Sequence, residues 1–206
     1  KTIPADTAKL IRRWLNSSGR NEPMLAEALN GIIGLKGTTP AYSPDYVAAL
    51  AKEALDAGNA ENGRAIFQLP IISCTACHAV DGIAGNLTAL KGPNLTALAA
   101  GLPLDIIIES VLWPERQIKE GYQATTVVTK DGRTLNGFAH SEDKTVLRIR
   151  DLTTGKIATL QVGNIKQRSK GGTVMPPQLT ASLTRTELRD LIKYLSTLKT
   201  VGNPKL

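Results

Sequence analysis

Both cysteines of the chain sit in one pentapeptide, Cys74-Thr75-Ala76-Cys77-His78. Two thiols at this spacing, followed at once by an imidazole, form the C-x-x-C-H pattern of covalent haem attachment. The spacing suits two thioether bonds to the haem vinyl groups, and His78 then falls under the iron as an axial ligand. A structural zinc site takes four ligands, yet beyond this motif only His140 remains, with no second cysteine pair. A thiol–disulfide exchange pair belongs in a βαβ setting, which the pattern around residues 60–95 does not offer. A plain disulfide would leave His78 without a role. One haem c, bound through Cys74 and Cys77, is the cofactor expected, and the fold must wrap it. Such attachment normally takes place outside the cytoplasmic membrane, so a periplasmic or otherwise extracytoplasmic location is expected.

The second axial position is the next question. Met175 stands in the polar, Gly/Pro-rich segment Ser169–Gln178. A thioether is soft and neutral and favours ferrous iron, and the glycines before Met175 let the backbone fold close over a haem face. Met24, by contrast, belongs to an apolar helical stripe and reads as core packing. His140, at the end of a predicted strand, is the rival ligand, and an open or water-bound position is the third alternative. A metal-bound histidine usually donates its other ring N–H to a carbonyl or carboxylate. The Gly92-Pro93 turn is the expected source, through the Pro93 carbonyl.

The rest of the chain reads as helix, then strand, then helix. Leu10, Ile11, Trp14 and Leu15 share a helical face. Asn21 is placed to cap a second helix with the stripe Met24, Leu25, Ala28, Leu29, Ile32 and Ile33. Ser43-Pro44-Asp45 opens a third, with proline in its first turn and Val47, Leu50, Ala51, Ala54 and Leu55 on its apolar face. Asn59 caps a short helix over 60–68. An apolar helix at about 104–112 ends at Trp113-Pro114. Residues 122–168 turn β-branched: strands are expected at 123–129, 133–140, 145–150 and 156–162, with Asp131-Gly132 as a hairpin turn. The last helix opens with a Thr184/Glu187 capping box and runs to about Leu198. Domains are expected at 1–57, a helical extension, and 58–206, the haem domain.

Only two Trp, two Phe and four Tyr are available for the core, so a flat cofactor would supply apolar bulk that the side chains do not. The net charge of +7 suits docking to an acidic partner. No basic run interleaves with aromatics, so nucleic acid is not expected as a ligand. No apolar stretch reaches the length of a membrane span.

Several of these pieces together resemble the class I cytochromes c: Gly63 and Phe67 on one helix, Cys74–His78, Gly92-Pro93-Asn94-Leu95, Met175-Pro176, and the final helix with Tyr194. In that family the first and last helices cross closely, and the resemblance gives those contact positions to Gly63 and Tyr194. The stretch from Asn59 to Leu198 is more specifically similar to the haem-binding domain of planctomycetes and verrucomicrobia. The matching pieces are Glu109-Ser110-Val111-Leu112-Trp113-Pro114, Ile118-Lys119-Glu120-Gly121-Tyr122, Lys130-Asp131-Gly132-Arg133 and Val174-Met175-Pro176-Pro177. The resemblance implies a mainly α class I cytochrome c fold with a small antiparallel β-sheet or barrel inserted before the Met loop. It also implies single-electron transfer through a His78/Met175 iron, serving a fused or associated extracytoplasmic dehydrogenase or a respiratory chain, with residues 1–57 as the tail of a helical-repeat region. The competing expectation is a haem enzyme or gas sensor with an open distal position, in which His140, Glu142 or Arg148 would face the haem.

Overall fold

A computed structural model describes residues 3–34, 39–81, 83 and 91–199. Three helices carry the starting signals that their sequences announce. Helix α3 (Pro44–Ala57) begins where the Ser43 side chain accepts the Tyr46 N–H, with Pro44 in the first turn. Helix α4 (Ala60–Phe67) begins where Asn59 accepts the Asn62 N–H at 3.0 Å. Helix α7 (Arg185–Thr197) opens with the full Thr184/Glu187 capping box. Two helices precede these, α1 (Ala5–Ser18) and α2 (Pro23–Ile33), and α5 (Leu98–Gly101) and α6 (Leu104–Leu112) lie between α4 and the sheet.

The main core forms where α3, α4, α6 and α7 converge. Leu50 and Ala54 of α3, Phe67 of α4, Ile107 and Ile108 of α6, and Leu191 and Ile192 of α7 are all buried in one cluster. Helices α4 and α7 cross at Gly63. A Cβ there would lie 2.7 Å from both the Asp190 carbonyl carbon and the Tyr194 Cβ, and closer still to the Asp190 carbonyl oxygen. Only a residue without a side chain permits this approach. The Asp190 carboxylate, 3% exposed, accepts the Asn59 N–H at 3.0 Å and so ties the start of α4 to the same turn of α7. Phe67 and Tyr194 close the crossing with ring centroids 5.7 Å apart.

The α1–α2 hairpin has its own small core of Ala8, Leu15 and Leu29. Polar contacts join it to the rest: Arg13 grips Glu187 at 2.6 and 2.9 Å, Lys9 donates to the Leu183 carbonyl, and the Arg185 N–H donates to Asp6. Three expectations fail here. Met24 is 85% exposed and Trp14 52% exposed, so neither is core. Trp14 instead lies under the Arg20 guanidinium, 5.2 Å from its ring centre. Asn21 does not cap α2, which starts at Pro23 after Glu22 with no side-chain cap.

Between α6 and α7 the chain makes an antiparallel sheet: β1 (Ala124–Thr129), β2 (Thr134–Glu142), β3 (Val146–Asp151), β4 (Ile157–Gln161) and β5 (Ile165–Lys170). Its order is β4-β3-β2-β1-β5, so β4 and β5 are the edges. The first four are those expected from the β-branched run and its turns. The fifth is not among the expected strands, and its last two residues fall in the Gly/Pro-rich segment Ser169–Gln178. Its sequence, Ile-Lys-Gln-Arg-Ser-Lys, carries one apolar residue, because an edge strand can be held by its backbone ladder to β1 alone. Val127, Leu147, Ile149 and Leu160 form a core separate from the helical one. Helix prevails in the chain, and the five-stranded layer with its own core stands beside it, so the mainly α expectation holds only in part.

Candidate functional site

After α4 the chain reverses through turns at Leu69 and Ile72, and Ser73 takes a left-handed conformation (φ 48°). A 3-10 turn, Cys74–Ala76, follows. The Cys77 and His78 N–H groups both donate to the Cys74 carbonyl, at 3.2 and 2.9 Å. This winding puts the two thiols and the imidazole on one short turn. The cysteines are free of each other and half-buried. Burial pushes the Cys74 thiol up to about 11, the reverse of the depressed value that a thiol-exchange cysteine needs.

Residues 91–96 run beside this turn and hold it. Gly92 N–H donates to the Cys77 carbonyl at 2.9 Å, and Leu95 N–H to the Ala79 carbonyl at 2.8 Å. Between these two bonds the Pro93 carbonyl lies 2.8 Å from His78 Nδ1. With Nδ1 carrying the proton toward Pro93, Nε2 is left with its lone pair for a metal. Burial lowers the His78 pKa, against the opposing pull of the Pro93 carbonyl, which favours the neutral ring that a metal requires. Gly92 adds a steric condition. A Cβ on it would stand 2.7 Å from Nδ1 and 2.9 Å from Nε2 of His78, and nearer still to Cε1. The imidazole therefore lies flat against bare backbone. Outside the ring, Thr96 donates to Asp81 and accepts the Asp81 N–H, which staples the far end of the clamp.

Met175 is placed on a different loop, half-buried, with its N–H donating to Thr173 Oγ1 at 3.1 Å. That loop grows directly out of β5. Gly171 N–H donates to the Ala124 carbonyl and Ala124 N–H to the Gly172 carbonyl, at 2.8 and 2.9 Å, so the β1–β5 ladder runs on to within three residues of Met175. The Thr173 N–H then points at both carboxylate oxygens of Glu115, at 3.3 and 3.4 Å. A Cβ on Gly172 would collide with that carboxylate. Glu115 comes from the turn after α6, and the sequence alone gave it no role. Its only signal was the Gly171-Gly172 pair, which marks a close approach without naming the group that approaches. Among the described residues no hydrogen bond joins the Met175 loop to the cysteine turn.

His140 lies at the β-bulge of β2, between Ala139 and Ser141, and is exposed. Among the described residues no group of three or more His, Cys, Asp or Glu is assembled to hold a metal ion. Cavities also lie elsewhere among the described residues. One of about 100 Å³ sits among Asp6, Lys9, Tyr46 and Arg185, and an open groove of about 600 Å³ lies between Leu102, Ile107 and Lys193.

Two unbridged thiols on one turn, beside a neutral histidine whose far nitrogen is engaged by backbone, fit a covalently held haem better than a zinc ion or a disulfide pair. The family model for cytochrome c matches residues 60–199, most of the chain, and the chain belongs to that family. Its function is accordingly haem-binding electron transfer, with covalent haem c and a redox partner, as that family works. No curated protein matches the chain. Among the described residues no helix is long and apolar enough to cross a membrane.

Proposed function

We propose that the protein carries one haem, with thioethers at Cys74 and Cys77 and axial ligation by His78 and Met175, and that it passes single electrons outside the cytoplasm. The observation that carries this reading is the 2.8 Å contact from His78 Nδ1 to the Pro93 carbonyl, with the ring backed by Gly92. A histidine fixed so closely at one nitrogen has the other presented in a set direction. The haem supplies the redox-active iron; the chain supplies the rest. Cys74 and Cys77 would hold the haem through thioether bonds. Pro93 holds the tautomer and orientation of His78. Glu115 and Thr173 fix the backbone that presents Met175. With His78 and Met175 both held by the backbone around them, the pair would suit electron transfer rather than substrate binding.

Within this proposal the haem domain runs from residue 58 to 206, although α3 buries Val47, Leu50 and Ala54 in its core. Its sheet is an insertion of the planctomycete and verrucomicrobial type, and the electron donor is a fused or associated dehydrogenase. The test is the absorption spectrum of the ferric protein and of Met175→Ala. The weak long-wavelength band of a thioether bound to ferric haem should be present in the wild type and absent from the variant. A wild type that lacks the band, and whose ferrous form binds carbon monoxide tightly, would put the sensor or enzyme reading first.

A further inference from the structure

The excess positive charge of the chain is not spread evenly. Residues 122–170, the sheet and its approach, hold nine Lys and Arg against four Asp and Glu, a net of +5 out of the +7 of the whole chain. The remaining residues are close to balance, sixteen against fourteen. The basic character that suits an acidic partner thus belongs to the sheet and not to the helices around the haem motif.

The four acids of the sheet are all engaged. Asp131 pairs with Arg133 and Glu142 with Arg168. Asp143 accepts the Thr145 and Val146 N–H groups, and Asp151 those of Thr153 and Thr154. Among the described residues, Lys130, Lys144, Arg148, Arg150, Lys156, Lys166 and Lys170 form no ion pair. Four of these seven belong to one strand and the turns at its ends. Leu147 and Ile149 of β3 point into the sheet core, so Arg148 and Arg150 point out. Lys144 sits in the turn before β3 and Lys156 in the turn after it, both exposed. Opposite Arg150 on the edge strand β4 lies Ile157, 50% exposed. An exposed apolar residue on a sheet face whose cations form no ion pair has the make-up of a small protein-docking patch.

The same face argues against single-stranded nucleic acid, which needs open aromatic platforms. Phe138 is 2% exposed. Tyr122 packs on it, and the Arg150 guanidinium covers both rings at 5.2 and 5.3 Å.

We infer that the outer face of β3 and β4, centred on Lys144, Arg148, Arg150, Lys156 and Ile157, is the docking surface for an acidic redox-partner protein. The inference rests on the electron-transfer reading for its purpose, but not for the existence of the surface. The face is carried on the element that leads directly into the Met175 loop, so a partner seated there is tethered to the proposed haem pocket through β1 and β5.

The test uses the holoprotein with a reduced acidic flavodoxin as the probe partner, in stopped flow at low ionic strength. The triple variant Lys144→Glu, Arg148→Glu, Lys156→Glu should be reduced about ten-fold more slowly than wild type, because steering by opposite charge raises on-rates by roughly 10–1,000-fold. The difference should close at high salt, where the screening length falls to about 3 Å. A body variant, Lys52→Glu with Lys199→Glu, should stay within about two-fold of wild type, since Lys52 is exposed on α3. A neutral quinol, which needs no docking surface, should reduce all three proteins equally, and this separates lost docking from a damaged haem. Equal slowing by both variants, or none by the triple variant, overturns the inference. Backbone amide shifts on adding oxidised flavodoxin read the surface without any electron transfer. Shifts clustered on β3 and β4 uphold the docking face even if the haem reading fails. Shifts elsewhere sink it, as does a DNA duplex that moves the β3 signals at lower concentration than flavodoxin at the same salt.

Discussion

Replacing Gly63 by alanine sets two known effects against each other. Away from other helices, the change should favour α4 by about 1 kcal/mol, the usual helix-propensity gap between the two residues. At this crossing the new Cβ would stand 2.7 Å from the Asp190 carbonyl carbon and from Tyr194 Cβ. Non-bonded carbons rest at about 3.5–4.0 Å, so α4 and α7 would have to part by about 1 Å. Both obstacles are backbone or the first side-chain atom, and no rotamer change relieves them. Overpacking of this kind costs about 1–3 kcal/mol. A radial gap of 0.5–1 Å also forfeits about a quarter to a half of the attraction between facing atoms. That loss falls on the contacts of Phe67, Leu191 and Tyr194. The steric cost outweighs the propensity gain, and we expect a net loss of about 2 kcal/mol. For a chain of this size that is a melting temperature about 4–8 °C lower. Thermal melts of the holoprotein followed by far-UV circular dichroism would show it. Gly31→Ala is the control: it lies within α2, where a Cβ meets nothing within 4 Å, and the same exchange there should leave the melt level or raise it. A Gly63→Ala protein that melts at or above wild type would refute the reasoning and show that the α4–α7 spacing has slack.

Gly92→Ala should displace the His78 ring and break its contact with Pro93; we expect a shifted reduction potential and weaker haem retention on denaturant titration, and an unchanged potential would count against the clamp. Glu115→Ala removes the anchor of the Thr173 N–H. Its ferric spectrum should lose intensity in the thioether band while the melt moves by less than about 1 kcal/mol; loss of stability with an intact band would mean that Glu115 supports the fold and not Met175. Burial alone would push the Asp190 carboxyl up, but the Asn59 N–H, then Arg189 and Asn62, hold it below its ordinary value. A carboxyl depressed in the folded state adds stability that is complete above its unfolded pKa of about 3.9 and is lost as pH falls through the folded value. Urea midpoints should therefore drop below about pH 4, and the drop should be shallower in Asp190→Asn, which is already weaker at neutral pH.

What could be read from residues alone follows a physical division. Local signals were legible: the Ser43 and Asn59 caps, the Thr184/Glu187 box, the β-branched runs and turns of β1 to β4, and the Cys74–His78 pattern each depend on neighbours a few positions away. The β5 strand was not, because its single inward residue, Ile165, makes no period, and its ladder to β1 is written in the backbone. Met24 and Trp14 were misplaced for a related reason. A stripe wide enough to be a core face is also wide enough to leave half of itself in water, and α1–α2 buries only the Ala8, Leu15 and Leu29 side. At the site, the Pro93 carbonyl could be anticipated from the needs of a bound histidine. Gly92 read only as part of a turn, since its value lies in an imidazole packed on it from fourteen positions earlier in the chain.

The strand order has a consequence for how the chain reaches this shape. The Asn59–Asp190 contact that joins α4 to α7 spans 131 positions, and closing so long a loop carries an entropic cost that grows with the length of free chain. Strands β1 and β5 are sequence-distant but adjacent, with Thr125 opposite Lys170, so once the sheet zips, the chain enters and leaves it side by side. About a third of the intervening residues then cease to count as free loop, and the path from α4 to α7 is correspondingly shorter. The late-arriving helix would meet its partner across a bridged gap. Joining residue 123 directly to 172, over a neck about 5 Å wide, would keep that shortcut with the sheet removed.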